Sequence, residues 1–382
     1  MMRALKNRKT RAWIYQAVVL VAAVGLTASF VAIARNNLLE QGIATGFDFL
    51  WETAGFDIGE GFIKFDASED YGRAFVVGIL NTLHVAFVGI VFATLLGFVM
   101  GIARVSRNWL ASRIAHLYVE VVRNVPVVLH VIFWAAVIRV LPPPRQALEP
   151  MDGVFITNRG LIFAVPVEHP VYTWVAIAFL IGLAAAFALG RWARRRREAT
   201  GQLIPTFWPG LGLIVGLPLL AWLVGGAPLQ WDVPALKGFN FRGGMASSPE
   251  FVALLIGITV YTGAFIAEIV RSGIQSVGSG QIEAARSLGL KPGFIMRYIT
   301  IPQALRVIVP PTTSQYLSLT KNSSLGVLIG YPDLVNVGNT TLNQTGQAVE
   351  AIAVMMLVYL TISLTISVFM NAYNRLVAIK ER

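Results

Sequence analysis

The sequence predicts an all-α membrane protein, a polytopic bundle of about eight transmembrane helices. Of its 382 residues, 55% are hydrophobic and 13% are charged, and the mean hydropathy is +0.65. A soluble globular protein carries about 25% charged residues, so this chain has too few polar groups to cover a surface that faces water. The apolar residues are gathered into long runs, and the basic residues fall between alternate runs.

Each predicted span rests on its length, since a helix needs about 20 mostly apolar residues to cross about 30 Å of hydrocarbon. Eight runs meet this requirement: 13–34, 74–102, 117–141, 171–190, 207–224, 251–270, 307–329 and 351–370. Prolines and charged residues interrupt the third run, at Pro126, and the seventh, at Pro310 and Pro311. These two spans are therefore the least regular of the eight.

Two of the runs contain glycines at the small-x-x-x-small spacing, which lets helices approach each other closely. They are Gly97 with Gly101 and Gly212 with Gly216. The spacing is frequent by chance in apolar sequence, so it favours tight helix packing and identifies no partner.

The distribution of charge predicts the orientation of the bundle. With the amino terminus placed in the cytoplasm, the cytoplasmic segments hold 21 basic and 3 acidic residues, and the segments on the other side hold 5 basic and 13 acidic ones. Lysine and arginine concentrate in short cytoplasmic loops of membrane proteins. Both termini are therefore predicted to be cytoplasmic. The net charge of +11 is explained by orientation, and no nucleic-acid partner is expected.

The first run has a second interpretation. Basic residues precede it and Ala32-Ile33-Ala34 ends it, as in a cleavable signal peptide. The run is longer than the roughly 7–15 apolar residues of a signal, which favours an uncleaved span. Cleavage would leave the other seven orientations unchanged.

The segment 36–70 that follows is acidic and also rich in aromatic residues. Aromatic side chains are typical of membrane interfaces and are scarce in disordered chains. We therefore expect this segment to pack onto the bundle; reception of an external partner is the alternative.

The cytoplasmic segment 271–306 has the signals of two short helices. Gly280 is predicted as an N-cap with Glu283 three residues later, 283–288 as a helix and Gly289 as its stop. A second helix is predicted after Pro292-Gly293. Its apolar face would carry Phe294, Tyr298 and Ile301, with Arg297 opposite. Such a pair of short cytoplasmic helices would fit into a cleft on another protein.

This segment resembles the EAA loop of ABC importer permeases. The matching residues are Glu283-Ala284-Ala285, Gly289, Ile299 and Ile301-Pro302, and the only departure is Ile301, where the family pattern has leucine. The resemblance implies coupling helices that dock into a separate ATP-binding subunit. The residues expected in that contact are Gly280, Glu283, Ala284, Ala285, Arg286, Leu288, Gly289 and Lys291.

Further stretches resemble the polar amino acid branch of the family, in the layout of general L-amino acid or glutamate/glutamine/aspartate/asparagine systems. They are 78–83, 118–126, 261–274 and 321–325. The resemblance implies a type I permease core of five helices in 73–138 and 250–375. It also implies a two-helix insert at 139–249, so that the permease domain spans 73–375 and follows an N-terminal helix and acidic loop at 1–72.

The resemblance also implies the partners and the location. They are a dimer of ATP-binding subunits that carries ATP and magnesium, a second and homologous permease that makes a heterodimer, an external amino-acid-binding protein and the lipid bilayer. The chain itself is expected to hold no cofactor and no metal and to be no enzyme. A bacterial inner membrane, crossed several times, is the expected location.

Ionisable groups inside the spans are the candidates for the substrate path, because a charged side chain at a helix centre costs about 2.5–3.5 kcal/mol on insertion scales. Glu120 and Arg123 have the i, i+3 spacing of a pair on one helix face, as a structural ion pair or a gating contact. Glu268 lies one turn before Arg271 and is a further internal partner.

Three consecutive polar residues, Lys321, Asn322 and Ser323, follow the prolines of the seventh run. Freed backbone groups and short polar side chains suit the passage of a zwitterion. We therefore expect these three residues to border the substrate path.

The chain lacks the sequence motifs that other functional classes require. No Gly-x-x-x-x-Gly-Lys-Ser/Thr phosphate loop, His-Glu-x-x-His or Gly-x-Ser-x-Gly occurs in the chain, and it has no cysteine. ATP hydrolysis must then come from another subunit, and a membrane enzyme is disfavoured. The alternative is an ion-coupled secondary transporter that works without an ATPase, for which Glu268 is the only deep acid.

Overall fold

The computed structural model describes residues 8–40, 42, 45–202 and 204–377, and helices dominate this part of the chain. The α-helices are α1 Arg8–Glu40, α2 Tyr71–Arg104, α3 Trp109–Arg123, α4 Val127–Arg139, α5 Pro170–Thr200, α6 Phe207–Leu211, α7 Leu217–Val224, α8 Pro249–Gln275, α9 Ser279–Ser287, α10 Pro292–Ile295, α11 Ile301–Asn322, α12 Leu334–Thr345 and α13 Ala348–Val377. Short 3-10 turns and two π-helical segments complete the helical structure. The π segments are Gly212–Gly216, between α6 and α7, and Met296–Thr300, between α10 and α11.

The membrane bundle predicted from the sequence is confirmed. Six helices of the described chain are long and apolar enough to cross a membrane: Ala12–Ile33, Tyr71–Arg104, Pro170–Thr200, Phe207–Val224, Pro249–Gln275 and Ala348–Ala372. A seventh span results if the bent pair α3 and α4 is one crossing. The count is close to the eight expected, and the differences lie in the two irregular runs.

The third predicted run is not one straight helix. It falls into α3 and α4, whose axes are bent by 106° at the break between Arg123 and Val127. Pro126 explains the break, because proline has no N–H to donate and disfavours helical conformation at the residue before it.

The seventh predicted run also differs from the expectation. The helix begins earlier, at Ile301, and ends at Asn322, after which a 3-10 segment runs from Ser323 to Ile329. It passes through Pro310 and Pro311 without a break. It is less apolar than a lipid-facing span because it packs against α2, α8 and α13, so part of its surface contacts protein.

The chain forms two compact units, residues 1–139 with 248–382, and residues 140–247. In the first unit α8 is the central helix and packs along α2, α3, α4 and α11. The glycine spacing on α2 explains how closely α2 approaches α8. A methyl group at Gly97 would lie 2.5 Å from Ile266 Cβ, and one at Gly101 would lie 2.6 Å from Val270 Cβ, so only glycine permits this approach.

The acidic segment before α2 packs onto the first unit, as expected. Phe49 is 1% exposed and meets the edge of the Tyr71 ring at a centroid distance of 6.0 Å. The same cluster includes Leu334 and Val337 of α12 and Met355 of α13. The segment therefore ties α2, α12 and α13 together at one end.

In the second unit, α5 packs against α6, the π segment and α7, which together form the second arm of a helical hairpin. Within the described chain nothing lies within 4 Å of a methyl group at Gly212 or Gly216, so neither glycine makes the close approach that the spacing favours. Gly182 of α5 makes the close contact instead, against the carbonyl of Leu213. The π segment shifts the helical phase, so the spacing read from sequence does not place both glycines on the packed face.

The second unit also contains short β-strands, which the sequence reasoning did not predict. They are β1 Leu148–Met151, β2 Val154–Thr157, β3 Gly160–Phe163, β4 Val165–Pro166, β5 Trp231–Asp232, β6 Ala235–Lys237, β7 Asn240–Arg242 and β8 Met245–Ser247. An antiparallel sheet has the order β1-β2-β3-β8, and β4-β5 and β6-β7 form two small ladders. Strands of two to four residues are too short for a clear period of two. Asp152-Gly153, between β1 and β2, is the hairpin signal that could have revealed them.

Candidate functional site

A short exposed helix follows the central span directly. α9 begins three residues after α8, and Gly278 is its N-cap, in place of the predicted Gly280. The carbonyl of Gly278 accepts the first hydrogen bond, from Gln281 N at 3.1 Å. Because no side chain caps this end, sequence alone could not distinguish between the two glycines.

The predicted stop at Gly289 is confirmed, and it has a defined geometry. Gly289 has φ +74° and its N–H donates to Arg286 O at 2.8 Å, while Leu290 N donates to Ala285 O at 3.2 Å. This pair of bonds is the Schellman motif, which needs a left-handed residue and therefore favours glycine. It fixes the length of α9 and turns the chain toward α10.

The residues predicted to dock a partner lie around this helix. Ala285 is 2% exposed, since α9 packs against α10 and the π segment that follows it. The other seven are exposed: Gly280, Glu283, Ala284, Arg286, Leu288, Gly289 and Lys291. The small alanine thus holds α9 against its own chain, and the remaining side chains are open to a partner.

The predicted apolar face of the second helix is exposed. Ile295 and Thr300 are the buried residues, whereas Phe294, Tyr298 and Ile301 are exposed. Ile295 and Thr300 are five residues apart across the π segment Met296–Thr300, in which hydrogen bonds join residues i and i+5. The Phe294 and Tyr298 rings stack on each other, with centroids 6.0 Å apart and planes within 8°, and they extend the exposed surface next to α9.

A cluster of ionic side chains lies where α2, α3 and α8 meet. Glu268 pairs with Arg104 and with Arg271, and its Oε2 lies 3.8 Å from Arg123 Nη1. The pairing of Glu268 with Arg271 was predicted. Glu120 lies 3.7 Å from Arg104, and in the described chain it forms no ion pair with Arg123, contrary to the i, i+3 expectation. The two residues have partners on neighbouring helices because these helices pack closely.

Arg104 is the member of this cluster that sequence reasoning missed. Its side chain is 8% exposed, against 51% for Glu120, and a nearly buried arginine needs a carboxylate partner. The signal was its place in the last turn of a long apolar helix. The Arg123 guanidinium also lies over the Phe265 ring, 5.1 Å from its centroid, so α3 is held to α8 by charge and by aromatic contact.

The predicted polar triplet lies at the end of α11. Lys321 is exposed, Asn322 is partly buried and Ser323 is fully buried. The Ser323 hydroxyl donates to Thr320 O at 2.7 Å, so this side chain stabilises the turn into the 3-10 segment. The structure does not bring the triplet to the ionic cluster: its 3-10 segment meets α8 near Leu254, about 20 Å along α8 from Glu268 at 1.5 Å per residue.

A buried polar network near the start of α12 was not predicted. Asp333 is fully buried and caps α12, with Asn336 N donating to its Oδ1 at 2.9 Å. Tyr359 Oη donates to its Oδ2 at 3.4 Å, and Thr82 Oγ1 accepts from Leu334 N at 3.1 Å. Burial raises the pKa of Asp333 to about 7. An acid before Leu-Val-Asn is an N-cap signal that could have located this residue.

No metal centre is formed by the described residues, among which no group of three or more His, Asp or Glu side chains is placed to hold an ion. The site consists of the exposed helix α9, the ionic cluster around Glu268 and the polar triplet at the end of α11.

The family model described as "Binding-protein-dependent transport system inner membrane component" matches residues 93–380. The chain is 50% identical over 98% of its length to "Putative amino-acid ABC transporter permease protein YhdX" of Escherichia coli, covering 96% of that protein. It is 47% identical over 99% of its length to "General L-amino acid transport system permease protein AapQ" of Rhizobium johnstonii, covering 95%. It is 40% identical over 91% of its length to "Glutamate/glutamine/aspartate/asparagine transport system permease protein BztB" of Rhodobacter capsulatus, covering 89%. The chain thus belongs to the family of binding-protein-dependent transport system inner membrane components.

Proposed function

We propose that this chain is the membrane-spanning permease subunit of an ATP-dependent importer of amino acids. The observation that carries the proposal is α9, an exposed nine-residue helix with the Glu-Ala-Ala pattern, joined by three residues to the central span α8. The names of YhdX, AapQ and BztB support amino acids as the transported class.

The exposed side chains around α9 form the contact with a separate ATP-binding subunit dimer, which holds ATP and magnesium. The chain has no phosphate loop of its own, so the energy for transport enters through this contact. The contact must differ in strength between the inward-open and outward-open states, since a ligand that binds both states equally shifts neither. Arg286 and Lys291 favour an acidic rim on the partner.

Two further partners complete the importer. A second, homologous permease forms the other half of the translocation path, and a soluble amino-acid-binding protein delivers the substrate from outside. The assembly lies in the inner membrane of a bacterium, with both termini of this chain in the cytoplasm. The excess of basic residues in the segments on that side supports this orientation.

The substrates are polar or general L-amino acids, such as glutamate, glutamine, aspartate and asparagine. A zwitterion needs donors for its carboxylate and acceptors for its ammonium group, and Lys321 and Asn322 supply both kinds of group at the border of the path. Ser323 acts indirectly by stabilising the turn that presents them. Glu120, Arg123 and Glu268 lie in the ionic cluster, about 20 Å along α8 from the polar triplet. They keep α2, α3 and α8 together as the path opens and closes.

The proposal is tested by uptake into liposomes that contain the full complex with its ATPase. Ala284→Trp places a bulky side chain on the exposed face of α9 and should abolish ATP-dependent uptake, while the chain still inserts and folds. Ser106→Trp, at an exposed turn between α2 and α3, is the matched control and should transport normally.

Two outcomes would contradict the proposal. Uptake that persists in Ala284→Trp would show that α9 is not the docking helix. Uptake by this chain alone, driven by an ion gradient and independent of ATP, would favour the secondary transporter. Asn322→Leu tests the path separately, because unchanged transport in an assembled complex would remove Asn322 from it.

A further inference from the structure

The arginine-rich end of α5 has no role in the proposed transport mechanism. Five arginines follow its apolar stretch within seven residues: Arg191, Arg194, Arg195, Arg196 and Arg197. All five are exposed, and none of them pairs with a carboxylate anywhere in the described chain. Glu198 is the only acid beside them, so the segment carries a large unbalanced positive charge.

The length of α5 places these arginines at the level of lipid headgroups. The helix has 31 residues, about 46 Å at 1.5 Å per residue, and the hydrocarbon core is about 30 Å thick. The apolar stretch 171–190 fills that core, and the five arginines begin where it ends. Consecutive residues are turned by about 100°, so the five arginines are spread around the helix. Ala193, which lies between Arg196 and Arg197 in this projection, is the buried residue.

Aromatic side chains support this placement. The Arg196 guanidinium lies 5.3 Å from the centroid of the Trp192 ring, and that of Arg191 lies 5.5 Å from the centroid of the Phe187 ring. Both guanidinium groups are therefore folded back toward the apolar end of the helix. Exposed Phe207 and Trp208 begin α6, which packs on α5. Tryptophan gathers at the boundary between hydrocarbon and water, so these rings mark the same level.

We infer that the arginine collar of α5, residues 191–197, binds the phosphate groups of anionic phospholipids. The guanidinium fork matches phosphate geometry in a bidentate manner, and basic clusters next to a transmembrane helix attract anionic headgroups. The bilayer supplies this ligand on the sides of α5 that do not pack on α6, the π segment and α7. The positive charge of these residues is enough to orient α5 during membrane insertion. Their guanidinium groups, exposed and unpaired at headgroup level, also fit a bound lipid in the mature protein.

The inference is tested with the full-length chain in an uncharged detergent, by native mass spectrometry with phosphatidylglycerol or phosphatidylcholine of identical acyl chains. Phosphatidylglycerol should bind the natural chain more tightly than phosphatidylcholine does. Arg194→Gln with Arg195→Gln should weaken phosphatidylglycerol binding about 25-fold, at about fivefold for each basic residue. Arg107→Gln with Arg113→Gln, which removes the same charge from the exposed turn after α2 and from α3, should change it less than threefold.

A first further measurement shows whether weaker lipid binding comes from the lost charge or from misorientation of α5. A second shows whether the ligand is a lipid or free phosphate. Arg194→Lys with Arg195→Lys keeps the charge that orients α5, and its phosphatidylglycerol binding should stay within about fivefold of the natural chain. Millimolar inorganic phosphate should not displace the bound lipid. The inference is overturned by equal binding of the two lipids, by equal losses in the two glutamine pairs, by a lysine pair as weak as its glutamine counterpart or by displacement with free phosphate.

Discussion

Arg104 at the end of α2 and Glu268 on α8 form an ion pair in which the arginine side chain is 8% exposed and the carboxylate 22%. The same carboxylate also serves Arg271 and Arg123. Glu268 thus links three helices, because α2, α3 and α8 each contribute an arginine that contacts its carboxylate.

Glu268→Gln should therefore destabilise the bundle by about 2 kcal/mol, since it leaves a nearly buried arginine without its main carboxylate. Glu120→Gln makes the same chemical change at a carboxylate that is 51% exposed, and exposed pairs contribute about 0–1 kcal/mol. Denaturant titration of the full chain in micelles, followed by circular dichroism, measures both. Equal losses in the two variants would refute the central role of Glu268.

Gly97→Ala should weaken the packing of α2 on α8 by about 1–3 kcal/mol, the usual cost of adding a methyl group to a packed interface. The added methyl group would lie 2.5 Å from Ile266 Cβ. Gly212→Ala is the matched control, because its methyl group meets nothing within 4 Å and alanine is the better helix former. Thermal unfolding in micelles compares them, and a loss in Gly212→Ala as large as that in Gly97→Ala would contradict the role of close packing at Gly97.

Gly289→Ala should loosen the end of α9 by about 1 kcal/mol, because a left-handed backbone strains any residue with a β-carbon. Amide hydrogen exchange within Ser279–Ser287 should then be about fivefold faster in the full chain, as follows from that energy. Gly280→Ala lies inside α9 and meets nothing within 4 Å, so it should slow exchange. Unchanged exchange in Gly289→Ala would show that the Schellman bonds do not limit the opening of α9.

The buried carboxyl of Asp333 predicts a dependence of stability on pH. Its pKa is about 7 in the folded chain, raised by burial from 3.8, so the folded state holds this proton more strongly than the unfolded state does. Stability should then fall as the pH rises from about 4 to about 7 and level off above that.

Asp333→Asn keeps an N-cap side chain and should remove this fall, which denaturant titrations at about pH 4.5, 6 and 8 would measure, since they cover the range between the two pKa values. Asp70→Asn exchanges another N-cap carboxylate, which accepts from Arg73 N, and should keep the pH dependence of the natural chain. An undiminished fall in Asp333→Asn would assign the effect to another group.

Single cysteines can report the orientation of the bundle, since the natural chain has none. Trp51 and Leu288 are 82% and 80% exposed, and the predicted topology places them on opposite sides of the membrane. A membrane-impermeant maleimide should label Trp51→Cys in intact spheroplasts. It should label Leu288→Cys only after permeabilisation, and the reverse pattern would overturn the orientation.

The sequence predicted those structural elements that depend only on neighbouring residues in the chain. The stop at Gly289 follows from the left-handed conformation that a helix end requires, and six apolar runs became helices of spanning length. The exposed helix that carries Glu283 and Ala284 could also be predicted, because its residues are consecutive.

The remaining features depend on contacts between distant segments. Arg104 and Glu268 are 164 positions apart, so no spacing rule pairs them. The π segment Met296–Thr300 could not be predicted either, because helical periodicity assumes a constant turn. The length of α11 was misjudged for a related reason, since hydropathy measures affinity for lipid and this helix packs on protein.

The three-residue link between α8 and α9 has a mechanical consequence. α8 has 27 residues, about 40 Å from end to end, and its contacts with α2 at Gly97 and Gly101 hold it near the end that leads into α9. A tilt of about 5° about these contacts, carried over the roughly 30 Å of α8 between Val270 and its far end, would move that end by about 2.7 Å. That distance approaches the width of a water molecule, enough to separate side chains that had been in contact. A small rotation on one side of the membrane could thus open a polar passage on the other.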